Sequence, residues 1–216
     1  MHKDKPEELS RTLKAMLREA RKREAPVFQV SNVASTPFRA LVFTILSART
    51  KDATTIRASG KLLAKAPTAK KLAGMRISDI EKAVYGTGFY RQKAKNLKKT
   101  ARLISDNGGK VPDTLEELVK LPGVGRKTAN IILAHCFGKD AIAVDTHVHR
   151  ICNRLGLVRT KTPEKTEQAL MKKVPKRLWK EMNLAMVSYG QTVCTPLKPK
   201  CGECRIRKIC PRIGVG

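Results

Sequence analysis

Four cysteines near the C-terminus, Cys194, Cys201, Cys204 and Cys210, follow the pattern Cys-x6-Cys-x2-Cys-x5-Cys. Thiols packed this densely point to a metal centre more than to a core. Structural zinc is usually held by two close pairs, and only Cys201–Cys204 is one here. A single close pair, wider outer ligands and Pro211 after the last cysteine lean towards an iron–sulfur cluster, with zinc as the competitor. Cys136 and Cys152 fall outside the spacing and read as buried thiols. A second constellation is Leu121-Pro122-Gly123-Val124-Gly125-Arg126-Lys127-Thr128, set between two helical patterns. Its paired glycines permit a tight turn and leave no Cβ to hold a ligand away. A helix starting near Arg126 then aims its free N–H groups out of the loop, an arrangement suited to a phosphate oxygen. No strand precedes the loop and no third glycine follows, which excludes a dinucleotide fold.

Two side chains near these motifs have chemical potential. Lys127 falls in the first turn of the helix after the glycines, and Asp145 near the start of a later one. Their plain readings are a phosphate-binding lysine and a helix cap. Their chemical reading is a pair. A lysine amine is a nucleophile only when neutral, and a helix N-terminus and surplus positive charge favour that form. A carboxylate can orient and deprotonate it, or stabilise positive charge developing on a substrate.

The elements that must position these groups read as helices joined by short loops. Leu9, Leu13, Met16, Leu17 and Ala20 recur at helical spacing, with Asp4 as the expected cap and Pro26 as the stop. Pro37 opens an apolar helix through Phe38, Leu41, Val42, Ile45 and Leu46. Leu62 and Leu63, then Ile77, Ile80 and Val84, mark short helices. Gly86 and Gly88 interrupt the chain before Phe89 and Tyr90. A very basic helix follows through Lys93, Lys95, Lys98, Lys99 and Arg102, and ends at Asn107-Gly108-Gly109. Thr114 starts the next. Ala141–Val144 reads equally as a short strand or an apolar entry into a helix. No other segment suggests a strand, so the expected class is all-α. His135, His147 and His149 lack a third ligand at metal spacing, and Trp179 reads as core.

The 216 residues carry 45 Lys and Arg against 18 Asp and Glu, a formal charge of +27. Such an imbalance calls for a polyanion, and nucleic acid leads over an anionic membrane surface. The longest apolar runs, Ala40–Ile45 and Ile131–Ala134, fall far below the ~18 residues that span a bilayer. The stretch from His2 to Lys5 has no apolar signal core behind it. An intracellular, reducing location near the nucleoid is expected, with no membrane association and a monomeric state.

The residues Leu121–Thr128 resemble the helix-hairpin-helix motif of the DNA glycosylase superfamily. Val144-Asp145-Thr146-His147-Val148-His149-Arg150 looks like that superfamily's aspartate loop. The resemblance to the endonuclease III family then runs from about Thr36 to Cys210, and the cysteine spacing matches that family's [4Fe–4S] loop. The resemblance implies two helical lobes with DNA between them. One spans 30–139 and holds the hairpin. The other joins 1–29 to 140–216, with the aspartate and the cluster. It implies excision of oxidised or damaged pyrimidines from duplex DNA, with Lys127 as Schiff-base nucleophile and Asp145 as its partner. Gly123, Val124, Gly125 and Arg126 would meet DNA, as would Lys198, Lys200 and Arg205 of the cysteine loop. Where the family carries a glutamine that enters the gap left by the flipped base, this chain has Arg49. Phe89 falls at the position of the apolar wedge, with core packing as its alternative. The second-helix glutamate of the adenine-specific branch is absent from Phe43-Thr44-Ile45-Leu46. Two other readings are a mismatch thymine or uracil glycosylase and a non-catalytic helix-hairpin-helix DNA-binding protein.

Overall fold

The computed structural model describes residues 6–32 and 34–215, the side chains of 30–32 excepted. In chain order the helices are α1 (Pro6–Lys22), α2 (Pro37–Ser47), α3 (Asp52–Lys65), α4 (Ala69–Gly74), α5 (Ile77–Val84), α6 (Tyr90–Asp106), α7 (Leu115–Leu118), α8 (Arg126–Cys136), α9 (Thr146–Arg154), α10 (Pro163–Lys173) and α11 (Trp179–Thr192). Short 3-10 turns cover Pro26–Asn32, Lys176–Leu178, Cys201–Glu203 and Arg207–Ile209. Among the described residues there is no strand. The class is all-α, in two compact units. One is Gln29–Lys139, and the other joins the residues up to Phe28 to those from Asp140 onward.

The Gln29–Lys139 unit is built around α2. Thr36 caps this helix by accepting the Arg39 N–H, and Pro37 sits in its first turn, where a missing donor costs nothing. From Ala40 to Leu46 every side chain is buried, because α3, α6 and α8 all pack on this helix. That explains a run apolar on all sides instead of a striped one. Helices α4 and α5 pack on α6, whose inner stripe includes Ala94, Leu97, Ala101 and Ile104.

In the second unit α1 lays Leu9, Leu13 and Met16 against α11, and α9 packs on both α10 and α11. Tyr189 and Met182 are fully buried there. The Trp179 indole donates to the Val174 carbonyl at 2.9 Å, so this ring belongs to the core as the sequence suggests.

Some sequence expectations change. Asp4, the expected cap of α1, lies outside the described residues. Helix α3 begins ten residues before Leu62, with Thr55 and Ser59 turned inward and bonded to carbonyls one turn back. Of the two readings of Ala141–Val144, the strand does not form and the apolar entry into a helix does. It is a buried, irregular approach to α9. Helices α10 and α11 were not delimited from sequence. The periodicity of α11 is muted because the helix packs against both α1 and α9, with Gly190 so close to α9 that a Cβ there would stand 2.5 Å from His147 Nδ1.

Candidate active site

The glycine hairpin joins α7 to α8. Gly123 has φ +82°, a conformation that disfavours any Cβ, and a Cβ there would stand 3.0 Å from Asn96 Nδ2. The turn closes through Val124 N–H to Leu121 O at 3.0 Å. From α6, Thr100 Oγ1 donates to Pro122 O at 2.9 Å. Val124 is buried, so its side chain anchors the hairpin to the unit. Gly125 is the N-cap of α8, makes no side-chain cap and faces open space. Arg126 and Lys127 are exposed in the first turn that follows. The loop therefore has open space at Gly125, and Lys127 follows in the first turn of α8.

Arg49 and Phe89 come together in the same unit. Both have left-handed backbones, φ +51° and +56°. Arg49 Cζ lies 5.6 Å above the Phe89 ring, within cation–π range. Phe89 is 67% exposed, which removes the core-packing alternative for its ring. Behind the pair lies Lys93, which the sequence shows among the basic residues of α6 and the structure buries to 6% exposure. Its position four residues before Leu97, on the apolar stripe of α6, was the signal that could have revealed this.

Asp145 belongs to the other unit and is the N-cap of α9. Its Oδ1 accepts the N–H groups of His147 and Val148, each at 2.9 Å. The capping role thus fixes where the carboxylate points. One turn on, Arg150 donates to the carbonyls of Gly190 and Cys194 at 3.1 and 2.8 Å, tying α9 to α11. His149 Nδ1 lies 2.6 Å from Thr166 Oγ1, a packing contact between α9 and α10.

The cysteine loop follows α11. Cys194, Cys201, Cys204 and Cys210 all line one cavity, together with Ile151, Leu155 and Val193. Arg154 Nη1 donates to Cys194 Sγ at 3.3 Å, and Tyr189 Oη lies 3.2 Å from Cys204 Sγ. Arg154, which the sequence reading passed over, also donates to the carbonyls of Thr195 and Pro196, each at 2.7 Å. Among the described residues, no group of three or more His, Cys, Asp and Glu side chains is arranged to hold a metal ion. Lys198 and Lys200 are exposed. Arg205 is exposed too, but its Nε pairs with Glu19 Oε2 at 3.4 Å. Glu19 also accepts from Arg23 at 2.8 Å, and Arg23 reaches Glu203 at 2.7 Å. The Arg23 hydrogen bond, reinforced by Arg205, holds the Glu19 carboxyl below the usual carboxylate range. This network fastens the end of α1 to the cysteine loop. Cys152 is fully buried, 3.4 Å from Met186 Sδ, and burial pushes its thiol well up. Cys136, expected to be buried, is only partly so, because it lies in the last turn of α8.

The chain is similar to known proteins over most of its length. A family model described as HhH-GPD superfamily base excision DNA repair protein matches residues 42–176. Endonuclease III of Thermotoga maritima is 50% identical over 175 residues, covering 81% of this chain and 82% of that one. The solved structure of a trapped endonuclease III–DNA covalent intermediate, an estranged-adenine complex, matches with a TM-score of 0.80 at 30% identity and covers 97% of both chains. A thermostable thymine-DNA glycosylase matches with a TM-score of 0.74 at 25% identity, over 88% of this chain and 97% of that one. Identity at this level, together with a family model whose match spans both the hairpin and the aspartate loop, places the chain in the endonuclease III family of HhH-GPD DNA glycosylases.

Proposed function

We propose that the protein is a bifunctional DNA glycosylase and abasic-site lyase of base excision repair, which removes damaged pyrimidines from duplex DNA and nicks the strand through Lys127. The observation that carries the reading is the exposed first turn of α8, opened by the uncapped Gly125 and bearing Lys127. Backbone donors of that turn take a phosphate beside the lesion, and this brings the amine to the sugar. The damaged base is extruded from the stack, and Arg49 and Phe89 fill the space it leaves. Neutral Lys127 attacks the sugar C1′, the bond from C1′ to the base breaks, and the base leaves with a proton. The nitrogen lone pair then breaks the C1′–O4′ bond, O4′ takes up a proton, and the protonated imine so formed acidifies the C2′–H bond. Loss of that proton expels the 3′ phosphate by β-elimination, and hydrolysis frees the lysine. Asp145, its carboxylate held by the cap, stabilises positive charge on the sugar as the base departs.

The cysteine spacing and the family support a [4Fe–4S] cluster in this loop, and the structure does not gather the four sulfurs into a metal-ligating group. Four cysteines line one cavity, and an N–H and a phenol lie beside two of the sulfurs, the kind of contact that tunes such sites. Bound by Cys194, Cys201, Cys204 and Cys210, a cluster would supply thiolate–iron bonds that stiffen the loop. Lys198 and Lys200 on that loop then clamp phosphates. A mismatch thymine or uracil glycosylase is the second reading, favoured by Arg49 in place of an amide side chain and by the likeness to the thymine-DNA glycosylase.

The test is a panel of lesion-bearing duplexes assayed with borohydride trapping and peptide mapping. Wild-type protein should give an adduct on Lys127, fastest with oxidised pyrimidines. The Lys127→Gln variant should bind but give neither adduct nor nick. An adduct on another lysine would overturn the mechanism, and preference for mismatched thymine would favour the second reading. Iron and sulfide analysis of the purified protein tests the cluster, and one zinc per chain without iron would replace it.

A further inference from the structure

Lys93 presents a problem that the mechanism above does not absorb. Its ammonium lies inside the Gln29–Lys139 unit with no carboxylate among its hydrogen-bond partners. Nζ donates to Leu46 O at 2.7 Å, Ala48 O at 2.6 Å and Thr50 Oγ1 at 2.7 Å. Three acceptors match the three protons of an ammonium. Burying a charge on neutral acceptors is costly, and an apolar residue would fill the same space at less cost.

The acceptors show what the ammonium holds. All three lie on the segment that leaves α2 and passes through Arg49. The lysine itself is in the first turn of α6, four residues after Phe89. The two turns also touch directly. Thr50 Oγ1 accepts the Gly88 N–H at 3.1 Å, so one hydroxyl serves both turns. A Cβ on Gly88 would stand 2.6 Å from Arg49 O, which shows how closely the backbones approach. Arg49 and Phe89 project from these turns in left-handed conformations, with the guanidinium over the ring.

We infer that Lys93 is a positioning residue for base extrusion: its ammonium locks the Arg49 turn to the Phe89 turn, so that both side chains enter the duplex as one preformed wedge. The inference rests on the reading of Arg49 and Phe89 as gap-filling residues. A wedge assembled in advance spends no binding energy on ordering two loops. That energy remains for unstacking the base.

The test compares two duplexes, one with a paired oxidised pyrimidine next to 2-aminopurine and one with a pre-formed abasic site. Lys93→Met keeps the length and removes the charge. Single-turnover excision from the paired duplex should fall about tenfold or more, as loss of hydrogen bonds to a charged group implies. The 2-aminopurine fluorescence rise on binding should shrink with it. Cleavage at the abasic site, where no base must be unstacked, should fall far less. The Lys93→Met, Arg49→Ala double variant should be no slower than the slower single variant, because both act on one step. Equal losses on both duplexes, or losses that multiply in the double variant, would overturn the inference. Thr50→Val removes the shared hydroxyl and is judged by the same outcomes if Lys93→Met does not fold. If Arg49→Ala and Phe89→Ala both leave paired-lesion excision unchanged, the gap-filling reading fails and takes this inference with it. If those two slow excision while Lys93→Met and Thr50→Val do not, only the inference about Lys93 fails.

Discussion

The aspartate shows how one side chain can serve fold and chemistry at once. Asp145 caps α9 through Oδ1, and asparagine caps a helix about as well. Asp145→Asn should therefore fold and bind lesion DNA normally. Its excision rate should drop roughly 10²–10⁴-fold, the range for one acid–base group. Asp145→Ala should also lose about 1 kcal/mol of stability. Unfolding curves set beside single-turnover rates separate the two roles, and an Asn variant with wild-type rate would reduce Asp145 to a cap. Lys93 makes a second residue-scale prediction. Burial pushes its pKa from 10.5 down to about 8. Between those values the unfolded chain binds more protons than the folded one, so wild-type stability should rise with pH relative to Lys93→Met. Below pH 8 the two stability curves should run parallel. Urea titrations across that range check this, and curves parallel at every pH would mean that the lysine is not desolvated.

At the scale of elements, the hairpin divides its labour between two glycines. Gly123 needs its positive φ and has Asn96 against it, so Gly123→Ala should cost about 1–2 kcal/mol of stability. Gly125 has an ordinary φ of −92° and nothing within 4 Å. Gly125→Ala should leave the melting temperature unchanged and still weaken DNA binding, because its methyl occupies the path of the phosphate. Equal affinity for both proteins would remove the phosphate from this loop. The hairpin, the aspartate and the cysteines were legible in the sequence because their chemistry needs fixed residue types at short spacing. The same holds for α2, whose Thr36-Pro37 start and apolar run are local signals. The Arg49–Phe89 pair was legible only as two separate positions. Their contact, and the burial of Lys93 behind them, depends on chain segments some forty residues apart. Helix α11 escaped notice for a related reason. A helix packed against α1 and α9 together has no single polar face to announce its period.

For the whole molecule, charge is the dominant property. A net +27 is spread over exposed residues that include Arg126, Lys127, Lys198 and Lys200. If about six phosphates are neutralised, DNA affinity should fall ~10³-fold between about 50 and 200 mM salt. A flat salt response measured by fluorescence anisotropy would refute the electrostatic account. No described helix is long and apolar enough to cross a membrane. The left-handed backbones of Arg49 and Phe89 bear on how this protein would respond to artificial selection. Each costs roughly 1–2 kcal/mol in a residue with a Cβ, and asparagine or glycine tolerates that conformation better. A library screened only for survival of heating should therefore converge on Asn or Gly at 49 and 89. The winners should melt a few degrees higher, about 2–4 °C per kcal/mol recovered, and excise paired lesions poorly. Thermal robustness and repair competence would then be traded at the same two codons, a conflict that a screen scored on heat alone would never register.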